Sequence, residues 1–323
     1  MKTLNYFKNN LDYNQTALLY LICLFSRLIT SIDYSEDIDS LRFALALIDY
    51  NILELRPHFP GYPVFCFFTK IVYSIINNIQ YTFSIIGSLS IFLIIIYTKK
   101  IEQFFGNHNS LTTSILIFVN PLLWNFSNRY MSDLFGLSIL MILTYYFFKF
   151  IKNKDKSSLF IFSFLLAILI GVRVSFLPFF LVPSFYLILK NSLKNNCQSL
   201  FIFTAGIAVW LIPLISITGY NDFVQIAIKH INGHFFRWGG SVITNDSDYF
   251  FRFLKIIESI WADGLGGWWV DRHWLTFVVG IQIILISILS LVKVVKLKLI
   301  LDRNILLLIS CLVIYWVWIF FFQ

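Results

Sequence analysis

Residues 31–63 read SIDYSEDIDSLRFALALIDYNILELRPHFPGYP, and the rest of the chain is organised around them. The stretch follows an apolar run and places Asp33, Glu36, Asp37, Asp39, Asp49 and Glu54 close together. A charged side chain in hydrocarbon costs roughly 2.5–3.5 kcal/mol or more, so these carboxylates belong at a membrane surface or in a wet cavity. Arg56, Pro57, His58, Phe59, Pro60, Gly61, Tyr62 and Pro63 come next, and their prolines and glycine interrupt any continuous helix. Short amphipathic pieces flank that turn, LRFALALIDYNIL before it and VFCFFTKIVYSIINNI after it. The pattern predicts an active-site loop pressed against a bilayer.

Outward from this loop the chain is close to continuous hydrocarbon. Of its 323 residues, 58% are hydrophobic and only 13% are charged, about half the charge of a soluble domain. That composition excludes a soluble domain and a disordered chain alike, and no stretch alternates with the period of two that barrel strands require. The expected fold is an all-α polytopic membrane protein. A helix needs about 20 apolar residues to cross the hydrocarbon. Runs at 14–32, 80–98, 110–126, 133–150, 157–172, 174–190, 199–218, 274–293 and 304–322 predict about nine transmembrane helices in one membrane domain over 1–323. Lys2 and Lys8 precede the first run and no small-residue cleavage site follows it, so an uncleaved first span is expected. Cys23, Cys66, Cys197 and Cys311 are scattered and outline no disulfide framework.

The formal net charge of +8 raises the question of nucleic acid, and the distribution of charge answers it. With a cytoplasmic N-terminus and one crossing per run, Lys99, Lys100, Lys149, Lys152, Lys154, Lys156, Lys190 and Lys194 all fall inside. Positive residues collect in cytoplasmic loops, so the basic balance encodes orientation and no nucleic-acid partner is expected. Two large periplasmic segments remain, a first loop at 33–79 and a second at 219–273. The location expected is the inner (plasma) membrane, multi-pass, with the active site facing the periplasm.

On this topology the outer helix ends gather Asp39, Arg129 and Asp133 of the turn NFSNRYMSD, and Arg173 of the turn GVRVS. Arginine recognises phosphate through a bidentate fork, and a carboxylate can accept the proton of an attacking hydroxyl. A lipid-phosphate leaving group and a sugar acceptor need both. Plainer roles compete at every position. Asp39 and Asp133 suit helix N-caps, Arg129 and Arg173 suit interfacial snorkelling, His58 suits structural hydrogen bonding, and Tyr62 suits packing. Glu36 and Asp37 look like solvated loop charges. His230, His234 and His273 show no zinc-ligand spacing, so no cofactor is expected, and a divalent metal has no evident ligand set. Trp238, Trp261, Trp268, Trp269 and Trp274 fit an aromatic belt, with sugar stacking as the sharper alternative.

The pattern D-S-x-x-F-A at Asp39, Ser40, Phe43 and Ala44, followed by R-P-H-F-P-G-Y-P at 56–63, resembles the first periplasmic loop of GT-C glycosyltransferases. The relatives meant are similar to protein O-mannosyltransferases and the aminoarabinose transferase of lipid A. The likeness extends through Tyr130–Asp133 and Gly171–Arg173 and covers roughly residues 14–190. It implies an inverting hexosyl or pentosyl transferase that uses a polyprenyl-phosphate sugar on the periplasmic side. It further implies Asp39 as general base, Asp133 as a second acid orienting acceptor or base, and Arg129 and Arg173 on the donor phosphate, with His58 and Tyr62 as further substrate contacts. The implied partners are the lipid-linked donor, a glycan, lipid or protein acceptor, and membrane lipids. Many such enzymes carry an Asp-Glu pair in the first loop, whereas Ser40 follows Asp39 here. Two rivals stand beside this expectation, a transporter or flippase of lipid-linked sugars and an inactive truncated fragment.

Overall fold

The computed structural model describes residues 13–106, 111–238, 248–296 and 302–322, and among them every regular element is helical. In chain order the helices are α1 (Tyr13–Ile29), α2 (Ile38–Ile48), α3 (Pro63–Ile76), α4 (Ile79–Glu102), α5 (Leu111–Val119), α6 (Pro121–Asn128) and α7 (Asp133–Asn153). There follow α8 (Lys156–Val172), α9 (Leu181–Lys190), α10 (Leu193–Thr218), α11 (Tyr220–Phe236), α12 (Tyr249–Glu258), α13 (Leu275–Lys296) and α14 (Arg303–Phe322). Five segments are long and apolar enough to cross a membrane: Ile79–Phe105, Asp133–Asn153, Leu193–Thr218, Leu275–Lys296 and Arg303–Phe322. The chain is thus an all-α, membrane-embedded protein.

The remaining expected spans are shorter or broken. The run at 110–126 divides at Asn120–Pro121 into α5 and α6. Proline carries no N–H and its ring clashes with the preceding turn, while Asn120 caps the new helix by accepting from the Leu123 N–H at 2.9 Å. The run at 174–190 opens as a 3-10 segment, Val174–Phe180, with Pro178 inside it, and only then becomes α9. Helices α1 and α8 have 17 residues each.

The break at Pro121 is held by Arg27 of α1, which is fully buried. Its Nη2 donates to the Phe118 carbonyl at 3.0 Å and its Nε to Ser127 Oγ at 3.2 Å. Its guanidinium lies over Trp124, 3.9 Å from the ring centroid. No carboxylate among the described residues pairs with it; carbonyl dipole, hydroxyl and π-face together take that place. Gly87 of α4 lets α6 approach, because a Cβ there would lie 1.7 Å from the Ser127 carbonyl oxygen. Close backbone approach through small residues is the usual way membrane helices pack. Helices α4, α7 and α8 carry the main buried core, with Phe135, Leu143, Phe147, Phe162 and Leu169 at its centre.

The first loop folds as two amphipathic helices around a turn, as the patterning predicts. The cap of α2 is Asp37, not Asp39. Asp37 sits in extended backbone and accepts from the Ser40 N–H at 2.7 Å, which places Asp39 inside the first turn of α2. At α7 the cap is Ser132, without a side-chain bond, and Asp133 is the first helical residue. Among its described residues, the segment 219–273 contains α11 and α12.

Candidate functional site

Helices α7 and α8 form an antiparallel pair. Lys154 closes α7 in the left-handed region and Asp155 opens α8, accepting from the Ser158 N–H at 3.0 Å. The end of α8 therefore returns to the start of α7, and Arg173, the C-cap of α8, meets Asp133 at 2.8 Å. An acid at a helix N-terminus and a base at a C-terminus each complement the macrodipole. Arg173 also donates to Ser132 Oγ at 3.3 Å, while Asp133 Oδ2 is buried and accepts no hydrogen bond within the protein.

The second cluster comes from the proline-rich turn. Gly61 adopts φ +86°, and a Cβ there would lie 2.7 Å from the Tyr50 hydroxyl, which donates to the Gly61 carbonyl at 2.8 Å. Tyr62, which precedes Pro63 at the start of α3, is itself left-handed at φ +46°. A non-glycine residue there costs of order 1–3 kcal/mol, and its packing offsets that cost. Phe43 meets the Tyr62 ring edge-on at 5.0 Å and the His58 ring at 6.1 Å. Held this way, the Tyr62 hydroxyl lies 2.9 Å from His58 Nε2. On its other side, His58 Nδ1 stands 3.3 Å from Asp39 Oδ1, a close contact without hydrogen-bond alignment. Arg42, one turn along α2, pairs with the same carboxylate oxygen at 2.9 Å.

Burial pushes His58 below the ordinary imidazole value; Asp39 opposes this, and Arg42, His230 and Arg173 add to it. The ring is neutral at pH 7. The Asp39 carboxylate, 3.3 Å from Nδ1, favours the single ring proton there on electrostatic grounds, and Nε2 then accepts from Tyr62. Burial pushes the Tyr62 phenol up to about 12, so it stays a donor. Asp39, His58 and Tyr62 thus form a polarised line. The charges of Arg173, Asp133 and Asp39 all act on Tyr62, the first lowering its phenol and the other two raising it.

Arg129 takes a different place. Its Nε contacts Glu36 at 2.8 Å and its Nη2 bonds Asp37. Glu36 and Asp37 are accordingly not free solvated charges: they tie the first loop to the turn between α6 and α7. Tyr130 donates to the Ile32 carbonyl at 2.5 Å and Asn128 to the Thr30 carbonyl at 2.8 Å in the same seam. Burial raises Asp37, but the Ser40 hydrogen bonds and the Arg129 charge more than offset it, leaving the carboxyl below its usual value.

Asp133 and Arg173 line a cavity of about 490 Å³ whose wall also carries Arg252 and Lys255 of α12, Ser259 just beyond it, and Tyr315 of α14. Asp39 and Arg129 are not part of that wall. A second cavity, about 460 Å³, starts at Tyr50 and Pro63 and runs between α3 and α10; it is apolar except for Lys70. Comparisons with protein-family models, with curated proteins and with solved structures found no match. The site therefore rests on its own geometry.

Arg252 and Lys255 are candidate residues that the sequence reading does not single out. Their signal lies in YFFRFLKIIES, where Arg252, Lys255 and Ser259 recur at i, i+3 and i+7, one face of a helix. His230, which has no zinc-ligand spacing in the sequence, stacks on His58 at 6.4 Å and on His234 at 6.0 Å. Among the described residues no group of three His, Cys, Asp or Glu is arranged to hold a metal ion.

Proposed function

We propose that the chain is a membrane glycosyltransferase of GT-C type that moves a sugar from a polyprenyl-phosphate donor to an acceptor hydroxyl, with inversion. The observation that carries this reading is the Asp39–His58–Tyr62 row, whose Tyr62 feels the charges of Asp133 and Arg173, together with the Asp133–Arg173 pair on the wall of a cavity that Arg252 and Lys255 also line. One cluster handles a proton, and the other supports a leaving phosphate.

In the proposed step the acceptor oxygen attacks the anomeric carbon while the bond from that carbon to the phosphate oxygen breaks. The electron pair leaves with the phosphate beside Arg173. The acceptor proton passes to Asp39, whose carboxylate is partly open to solvent, with His58 supporting the charge change. Asp133 orients Arg173, and Arg129 holds the first loop in place. The apolar cavity beside Tyr50 and Pro63 suits a hydrocarbon chain. In this reading the chain crosses the inner membrane nine times, the shorter crossings being α1, the α5–α6 pair, α8 and the segment ending in α9. The N-terminus is cytoplasmic and the site periplasmic.

The test is transfer of a sugar from a polyprenyl-phosphate donor by the full chain in membranes. Turnover abolished by Arg173→Gln, with the protein still folded, supports the reading. Absence of transfer with every polyprenyl-phosphate sugar tried would remove it.

A further inference from the structure

The carbonyl oxygen of Gly61 is held from outside the proline turn. The Tyr50 hydroxyl donates to it at 2.8 Å, and the Cys66 thiol approaches it at 3.6 Å. Tyr50 reaches this point because the chain doubles back after α2, where Asn51 and Arg56 exchange backbone hydrogen bonds, each at 2.8 Å. Burial pushes the Tyr50 phenol above its ordinary value, so it keeps its proton. Its ring stands with Cys66 on the wall of the apolar cavity, surroundings in which a hydrogen bond is electrostatically stronger than in water.

The Gly61 carbonyl belongs to the peptide unit that carries the Tyr62 nitrogen. That unit is planar, so fixing its oxygen also fixes the rotation about the Tyr62 N–Cα bond, the left-handed φ of +46°. The conformation is costly for a residue other than glycine. Without the tether the unit turns toward a relaxed φ and carries the phenol away from His58 Nε2, which it meets at 2.9 Å. Asp39 lies on α2 and His58 in the turn, so a bond from the end of α2 to the turn also keeps those two in register.

We infer that Tyr50 is a positioning residue: it stands outside the Asp39–His58–Tyr62 row and holds Tyr62 against His58 through the Gly61 carbonyl. In its consequence for catalysis this rests on the proposed function and deepens it.

The experiment is a carbon NMR titration of labelled histidine in the full chain in lipid nanodiscs, run beside sugar-transfer kinetics. The His58 signal is assigned by its loss in His58→Gln. Tyr50→Phe keeps the ring on the cavity wall and removes only the hydroxyl. Among the described residues, Asp39, Arg42, His230 and Arg173 are the groups whose charges act on His58, and this variant changes none of them. A ring nitrogen that loses its proton donor binds a proton more readily. The His58 midpoint is therefore expected to rise toward about 6.5 in Tyr50→Phe and in Tyr62→Phe. The double variant should rise no further than Tyr62→Phe alone, because both changes act through one hydrogen bond. In transfer, Tyr50→Phe should lower kcat about 10-fold and leave the donor KM nearly unchanged.

An unmoved His58 midpoint in Tyr50→Phe overturns the assignment, and so does a double variant whose shift is the sum of the single ones. A Tyr50→Phe chain that unfolds while Tyr62→Phe stays folded overturns it too, since Tyr50 is then a support of the turn alone. A moved midpoint with unchanged kcat removes Tyr50 from the reaction. A moved midpoint in a chain that transfers no sugar leaves the tether standing and removes the proposed function; wild-type transfer with an unmoved midpoint does the reverse.

Discussion

His58 receives the Tyr62 hydroxyl on one ring nitrogen, at 2.9 Å, and faces Asp39 with the other, at 3.3 Å. Two residues four apart in a rigid turn thus connect a carboxylate on α2 to the phenol at the start of α3. The ring is buried enough to stay neutral, and that neutrality has a consequence that can be measured.

Because burial lowers His58 in the folded protein, the unfolded chain binds its proton more readily. Stability from this group is therefore complete above the ordinary imidazole value of about 6.5 and declines as pH falls below it. Thermal unfolding in detergent from pH 7.5 to pH 5 is expected to show a falling Tm, with a shallower fall in His58→Gln. Identical slopes would mean that His58 is not held neutral by the fold.

Arg129 is expected to act on the loop more than on the donor. Losing its contacts to Glu36 and Asp37 should cost about 1–3 kcal/mol and speed proteolysis between α1 and α2 in Arg129→Gln. Donor affinity should fall less than in Arg173→Gln. A larger donor effect from Arg129 than from Arg173 would return Arg129 to the phosphate.

Arg27→Met should destabilise the protein by about 2–4 kcal/mol, since the Phe118 carbonyl and Ser127 hydroxyl lose a buried donor. Arg27→Lys should recover little, because one ammonium cannot reach both oxygens while lying over Trp124. Denaturation in mild detergent gives the comparison, and full recovery by lysine would contradict this view of the helix break.

Much of the helical frame was legible because hydrocarbon length and amphipathic spacing are local properties. The run at 133–150 became α7, and the pieces flanking the proline turn became α2 and α3. The division at Pro121 lies in plain view, yet an apolar window counts side chains and ignores a missing N–H. The cap of α2 falls on Asp37, not on Asp39, for which a cap was the plainer alternative to a catalytic role: neighbouring acids compete for one extended backbone position, and composition cannot choose between them. The pairing of Arg129 with Glu36 and Asp37, and the placing of Arg252 and Asp133 on one cavity wall, join distant segments, so no local pattern contained them. Their ingredients were visible; their partners were not.

The central claim is that Asp39 takes the acceptor's proton, and the direct measurement is the rate of sugar transfer by Asp39→Asn. The amide keeps the shape and the contact to His58 but cannot serve as a base. A loss of at least about 100-fold, with protein level and Tm close to wild type, is the predicted result. Transfer within a few-fold of wild type would contradict the account.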